Sequence, residues 1–166
     1  MGAMVVATDG SAAAASALDA AIELALATGD RVCVITVWRA LQGDFGLAYP
    51  PSALLDDILA TEREHAEETL REAAARAEAA GIAVETRLAT GDPPEQICAY
   101  AEEVGARMIA MGSHGHGALM SLLVGSVSSA VIARAGAPVL VVRDAGSERS
   151  KGKTEARGDP ATTSQS

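Results

Sequence analysis

A chain of 166 residues with a formal net charge of −9 is long enough for one domain and too short for two of ordinary size. So acidic a surface repels phosphate backbones unless a basic patch is present, and the only lysines, Lys151 and Lys153, lie in the last stretch, which argues against a nucleic-acid partner. Apolar residues make up 49% of the chain and aromatics 2%, so the core must be built from Ala, Val, Leu and Ile packed at short distances.

The first residues, MGAMVVATDG, lack the basic segment and apolar stretch of a secretory signal, and Val6 does not fit the myristoylation pattern. No apolar run reaches membrane-spanning length, and Cys33 and Cys98 lie in apolar or helical contexts that suit buried small side chains in a reducing compartment. The expected location is the cytoplasm, with no membrane partner. AMVVAT (3 to 8) is the first strand; Asp9 ends it, and Gly10-Ser11 turn into a helix from Ser11 to Ala27. RVCVITVW (31 to 38) is the second strand. The segment RALQGDFGLAYPPSA (39 to 53) is the one long loop and carries Phe45 and Tyr49, as either a lid over a site or an apolar plug on the sheet.

A helix from Pro51 to Ala80 follows, with His65 on its charged face, EREHAEETLRE. In the third strand, IAVETRLA (82 to 89), Glu85 and Arg87 alternate with Val84, Thr86 and Leu88, which places it at a sheet edge. Pro93 and Pro94 open a helix that runs from Pro94 to Val104, RMIAMG (107 to 112) is the fourth strand, a helix spans Ser126 to Ala135, and PVLVVR (138 to 143) is the fifth strand. Gly29, Gly81, Gly105 and Gly136 follow the four helices, where a left-handed residue is wanted. From Asp144 the chain is poor in apolar residues and is expected to be a disordered polar tail, leaving residues 1–143 as the domain. The alternation predicts an α/β fold: a doubly wound, five-stranded parallel sheet with right-handed crossovers and helices on both faces.

In such a sheet ligands lie beyond the carboxyl ends of the strands, where the strand order reverses. Two loops there carry chemistry: ATDGS, and GSHGHGALMSLLVGSVSS from Gly112 to Ser129. In the second, Gly112 and Gly115 are separated by two residues, and nine more precede Gly125-Ser126, which begins the last helix. Glycines let backbone N–H groups approach an anion, and the helix start at Ser126, Val127 and Ser128 adds unpaired N–H groups and a positive dipole end, with Ser126 and Ser128 as hydroxyl donors. Hydrogen bonds to a charged acceptor contribute about 1.5–3 kcal/mol each, so three or four hold a phosphate tail without a lysine. A Walker loop is excluded by the missing Lys, and a dinucleotide fingerprint by Met120 where the third Gly belongs. Asp9 is the candidate partner for a ribose hydroxyl, its other role being a cap for the first helix. The pair His114 and His116 has no neighbouring ligand in sequence, so no metal site is expected. No nucleophile, base and orienting acid can be assembled, so turnover amounts to slow ATP hydrolysis at most.

The combination of ATDGS, ITV in the second strand, GDPPEQICAYAEEVGARMIAMGSHGHG and GSVSSAVIARAGAPVLVVR resembles the universal stress protein family, in its ATP-binding branch with the pattern G-x2-G-x9-G-[ST], over residues 3 to 143. The resemblance implies a strand order of 3-2-1-4-5, a homodimer, and an adenine nucleotide between strands one and four. Carried over by position, Ala7, Thr8 and Asp9 lie on the ribose side, Val37 meets the adenine, and Met111 and Gly112 pack under the nucleoside. His114, Gly115, Gly125, Ser126, Val127 and Ser128 then surround the phosphates. Where family members often carry Arg or Lys just after the second glycine, this chain has His116, which reduces positive charge near the phosphates and implies either weaker binding or a need for Mg2+ as a counter-ion. The apolar final strand is expected to pair with its copy through residues 138 to 143, since a bare edge of this kind invites aggregation. The alternatives are a dimeric stress-interaction scaffold that binds no nucleotide, and an ATP-consuming transferase.

Overall fold

The computed structural model describes residues 2–38, 52–115 and 124–144. The long loop with Phe45 and Tyr49, His116 and the tail beyond Asp144 therefore lie outside the described residues.

The described residues form five strands and four helices in strict alternation: β1 (Ala3–Ala7), α1 (Ala12–Thr28), β2 (Arg31–Trp38), α2 (Ser52–Ala79), β3 (Val84–Thr90), α3 (Pro93–Glu103), β4 (Ala106–Gly112), α4 (Ser126–Arg134) and β5 (Val139–Val142). All strand pairs are parallel, in the order β3-β2-β1-β4-β5. β1 is therefore central, which is why all five of its residues are buried. β3 lies at an edge, as its alternating charges require.

Alternate residues of each strand feed two cores. Met4, Val6, Val32, Val34 and Ala110 pack with Leu18, Ala21 and Ile22 of α1 and Leu70, Ala73 and Ala77 of α2. Val5, Ala7, Cys33, Ile35, Ile109 and Met111 pack with Ile97, Tyr100 and Ala101 of α3 and Val131 of α4. Helices thus cover both faces. Cys33 is buried in the second core and Cys98 only half-buried, both as free thiols. Burial, and then the carboxylate of Glu85, push the Cys33 thiol above its ordinary value, so it is an inert packing group. His65 is exposed on α2.

Helix ends follow the glycine pattern with one exception. Gly29, Gly81 and Gly105 adopt positive φ. Gly136 does not: α4 closes at Ala135, whose backbone is already extended at φ −64° and ψ 134° and whose N–H donates to the Val131 carbonyl. The chain leaves this helix directly toward Pro138 and β5, so no left-handed residue is needed. α3 starts at Pro93, one residue earlier than Pro94, with Asp92 at the cap position.

At the amino end of the sheet, β1 and β4 slip register between Ala3 and Met4, and Arg107 is the extra residue. Its guanidinium reaches Asp30 Oδ2 at 3.0 Å. The Asp30 side chain is 1% exposed and also accepts from the Gly2 N–H at 2.6 Å and the Thr28 hydroxyl at 2.9 Å. Burial pushes this carboxyl up, but the bonds from Thr28 and Gly2, helped by Arg107, outweigh it and hold the group below its ordinary value.

Candidate functional site

The first wall of the site is the turn after β1. The Thr8 N–H donates to the Ile35 carbonyl at 3.0 Å, extending the β1–β2 ladder one residue past the strand. Gly10 then takes φ 81°, a conformation that costs a residue without Cβ little. Asp9 Oδ1 accepts from the Ser11 N–H at 3.0 Å, and Ser11 Oγ accepts from the Ala14 N–H at 3.3 Å. The cap of α1 is therefore Ser11, and Asp9 instead braces the turn that leads into it.

The second wall starts at the end of β4. A Cβ on Gly112 would stand 2.7 Å from the Ala14 nitrogen and 2.8 Å from the Ala13 carbonyl carbon, so only glycine lets β4 lie this close to α1. Ser113, 1% exposed, donates its N–H to the Val142 carbonyl at 2.8 Å, and its own carbonyl accepts from the Gly125 N–H at 2.7 Å and from Ser128 Oγ at 3.3 Å. Its hydroxyl pairs with His114 Nδ1 at 2.9 Å. Ser11 Oγ donates to the His114 carbonyl at 3.3 Å and so links the two walls.

α4 supplies the floor of the polar end. Gly125 occupies its cap position and brings no side chain, and the first helical bond runs from the Ser129 N–H to the Gly125 carbonyl at 2.9 Å. The N–H groups of Ser126, Val127 and Ser128 precede that bond and have no acceptor within the helix. The Ser128 hydroxyl, expected as a ligand donor, is turned inward: it is buried and donates to the Ser113 and Gly125 carbonyls. What Ser128 offers outward is its backbone N–H, and Ser126, which is exposed, keeps its hydroxyl available.

These walls enclose a cavity of about 450 Å3 at the carboxyl ends of β1, β2 and β4. The twelve residues that the resemblance places around the nucleotide all line it: Ala7, Thr8, Asp9, Val37, Met111, Gly112, His114, Gly115, Gly125, Ser126, Val127 and Ser128. Ala14, Ile35, Pro93, Ile97 and Ser113 line it as well and were not anticipated. Ile35 carried a usable signal: it is two residues before Val37 on β2 and so shares its face. The cavity has two chemical ends. Ile35, Val37, Pro93 and Ile97 make an apolar slot, whereas the polar end consists of glycine backbone, the α4 start and His114, with Asp9 as the one carboxylate, and no Lys or Arg, among the described lining residues. A flat apolar ring joined to an anionic tail fits that pair of ends: the slot excludes water from the ring, and the helix dipole with its unpaired N–H groups meets the charge.

Comparison with known proteins places the molecule. Residues 1–143 match the family model described as Universal stress protein family. The chain belongs to the universal stress protein family. Universal stress protein YxiE of Bacillus subtilis is 34% identical over 144 residues, covering 84% of this chain and 97% of that protein. Among solved structures, a universal stress protein in complex with cAMP shares 29% identity at a TM-score of 0.63, with 85% of this chain and 96% of the other covered. The universal stress protein from Archaeoglobus fulgidus in complex with dAMP shares 28% identity at a TM-score of 0.59, with 86% and 97% covered. The five-stranded parallel sheet is thus the fold of the family. Among the described residues, no helix is long and apolar enough to cross a membrane, and no group of three His, Cys, Asp or Glu side chains is arranged to hold a metal ion.

Proposed function

We propose that this universal stress protein is a stress-response regulator that binds an adenine nucleotide, ATP being the physiological form with Mg2+ as its counter-ion. The observation that carries the reading is the pairing, in one cavity, of an apolar slot at Val37 and Ile97 with the unpaired N–H groups at the start of α4. The slot receives the adenine, Asp9 takes a ribose hydroxyl, and Gly115, Ser126, Val127 and Ser128 hold phosphate oxygens through backbone N–H groups. Relatives solved with cAMP and dAMP support this assignment. The Ser113 hydroxyl that pairs with His114 Nδ1 is 1% exposed and so poorly placed to attack a substrate, which favours regulation over turnover. Mass spectrometry of the native protein, followed by calorimetry with ATP and Mg2+, tests it: bound adenine nucleotide or sub-millimolar affinity is the expected result. No binding at millimolar ATP replaces it with the nucleotide-free scaffold, and rapid phosphate release replaces it with an enzyme.

The proposal extends to a cytoplasmic homodimer without nucleic-acid or membrane partners. β5 is an edge strand whose four residues Val139–Val142 are apolar and only half-buried, and antiparallel pairing with the same strand of a second copy satisfies that edge. Light scattering coupled to size exclusion is expected to give a dimer at micromolar concentration and a monomer for Val141→Lys. A wild-type monomer, or a variant that dimerises unchanged, removes this assignment.

A further inference from the structure

A cradle made of peptide groups works only if its carbonyl oxygens are turned away from the anion. Two carbonyls stand at the entrance of this one, those of Ser113 and His114. The first is held by the Gly125 N–H and the Ser128 hydroxyl, both from the loop's own far end. The second is held by a residue of the opposite wall, through the 3.3 Å bond from Ser11 Oγ to the His114 oxygen. Because the peptide is planar and trans, the His114 C=O and the Gly115 N–H point in opposite directions. Fixing the carbonyl toward Ser11 therefore fixes the Gly115 N–H away from it, and among the described residues no carbonyl accepts that N–H.

Resting on the nucleotide reading above, we propose that Ser11 is a positioning residue of the phosphate end: its hydroxyl donates to the His114 carbonyl and thereby aims the Gly115 N–H at the nucleotide's phosphate. The same hydroxyl accepts from the Ala14 N–H as the α1 cap, so both its donor and its acceptor capacity are used, and it is 7% exposed. Ser11 thus joins the helix cap of one loop to the anion cradle of the other.

A cap alone and a cap that also aims an N–H differ in what they do to ligands with and without a phosphate. The experiment is calorimetry of wild type, Ser11→Ala, Ser11→Thr and Ser16→Gly with AMP and with adenosine, alongside thermal melts. Ser11→Ala is expected to melt lower, to bind AMP about tenfold more weakly, as the loss of one hydrogen bond to a charged group implies, and to bind adenosine within about twofold of wild type. Ser11→Thr keeps the hydroxyl and is expected to bind AMP within about twofold of wild type. Ser16→Gly weakens α1 away from the cavity, where the Ser16 hydroxyl only donates to the Ala12 carbonyl, and is expected to melt lower with AMP affinity unchanged. Equal weakening of AMP and adenosine in Ser11→Ala, unchanged AMP binding, or a Thr variant as weak as the Ala one overturns the role of Ser11. Wild type that binds neither ligand overturns the nucleotide reading itself, which separates the two failures.

Discussion

The two ends of the sheet are made from the same strands and treat their polar groups in opposite ways. At the amino end, Asp30 collects the Gly2 N–H, the Thr28 hydroxyl and the Arg107 guanidinium, so its carboxylate oxygens are engaged within the fold. At the carboxyl end the side-chain hydroxyls of Ser11, Ser113 and Ser128 hold the loops in place, while the N–H groups at the start of α4 stay unpaired. The difference teaches how one fold separates stability from recognition: polar groups closed among themselves hold the structure, and groups kept open beside a cavity recognise.

If that division is right, substitutions at the two ends have separable effects. The largest is expected from Gly112→Val, whose Cβ collides with the α1 backbone. Displacing packed backbone belongs with core disruptions that cost about 3 kcal/mol or more, and a melt lowered by roughly 10 °C, or a failure to fold, is the expected result. Gly115→Val comes next and separates the two properties. Its Cβ falls against Asp9 Oδ2, a side-chain oxygen of an exposed residue, so the melt should stay near wild type while nucleotide affinity drops by about a hundredfold, the loss of roughly two charge-assisted hydrogen bonds. Affinity that survives this change removes the cradle from the site.

At the other end, Asp30→Ala is expected to lower the melt with nucleotide affinity held within about twofold, and loss of binding there would break the comparison. Acid titration sharpens it. The folded Asp30 carboxyl lies below its ordinary value, so its stabilisation is fully present above the unfolded value of about 3.9 and is lost as pH falls through the folded one. The stability gap between wild type and Asp30→Asn, from denaturant curves, should therefore be widest near neutrality and close below about pH 4. A gap that is constant with pH would show that the charge of Asp30 is not what stabilises. Smallest is Arg107→Ala, since that guanidinium is largely exposed and Asp30 keeps its bonds to Gly2 and Thr28, so only a slight drop in the melt is expected.

Much of this arrangement was legible in the residue pattern. β-branched runs separated by alanine-rich helices specify a parallel sheet, and the charges of Glu85 and Arg87 mark β3 as an edge. The glycine spacing from Gly112 to Gly125 brought together the residues of one cavity wall. What could not be read is which polar groups are already used. Ser126 and Ser128 look equivalent in sequence, yet a two-residue step around α4 turns the Ser128 hydroxyl into the loop and leaves Ser126 outside. Ile97 and Pro93 look like ordinary core and helix-start residues, because their place under the cavity depends on where α3 crosses the sheet. Gly136 follows a helix as three other glycines do, and only the short path to Pro138 shows that it needs no left-handed turn.

The open groups at the start of α4 are peptide N–H groups, and that choice has a consequence for a protein of a stress family. An amide proton does not titrate in the physiological range, is not oxidised and cannot be acetylated, unlike the side chain of a histidine, cysteine or lysine. Under the proposed function, a cradle of this kind keeps the same peptide donors through acidification or an oxidative burst, so their contribution to binding does not change with damage to side chains.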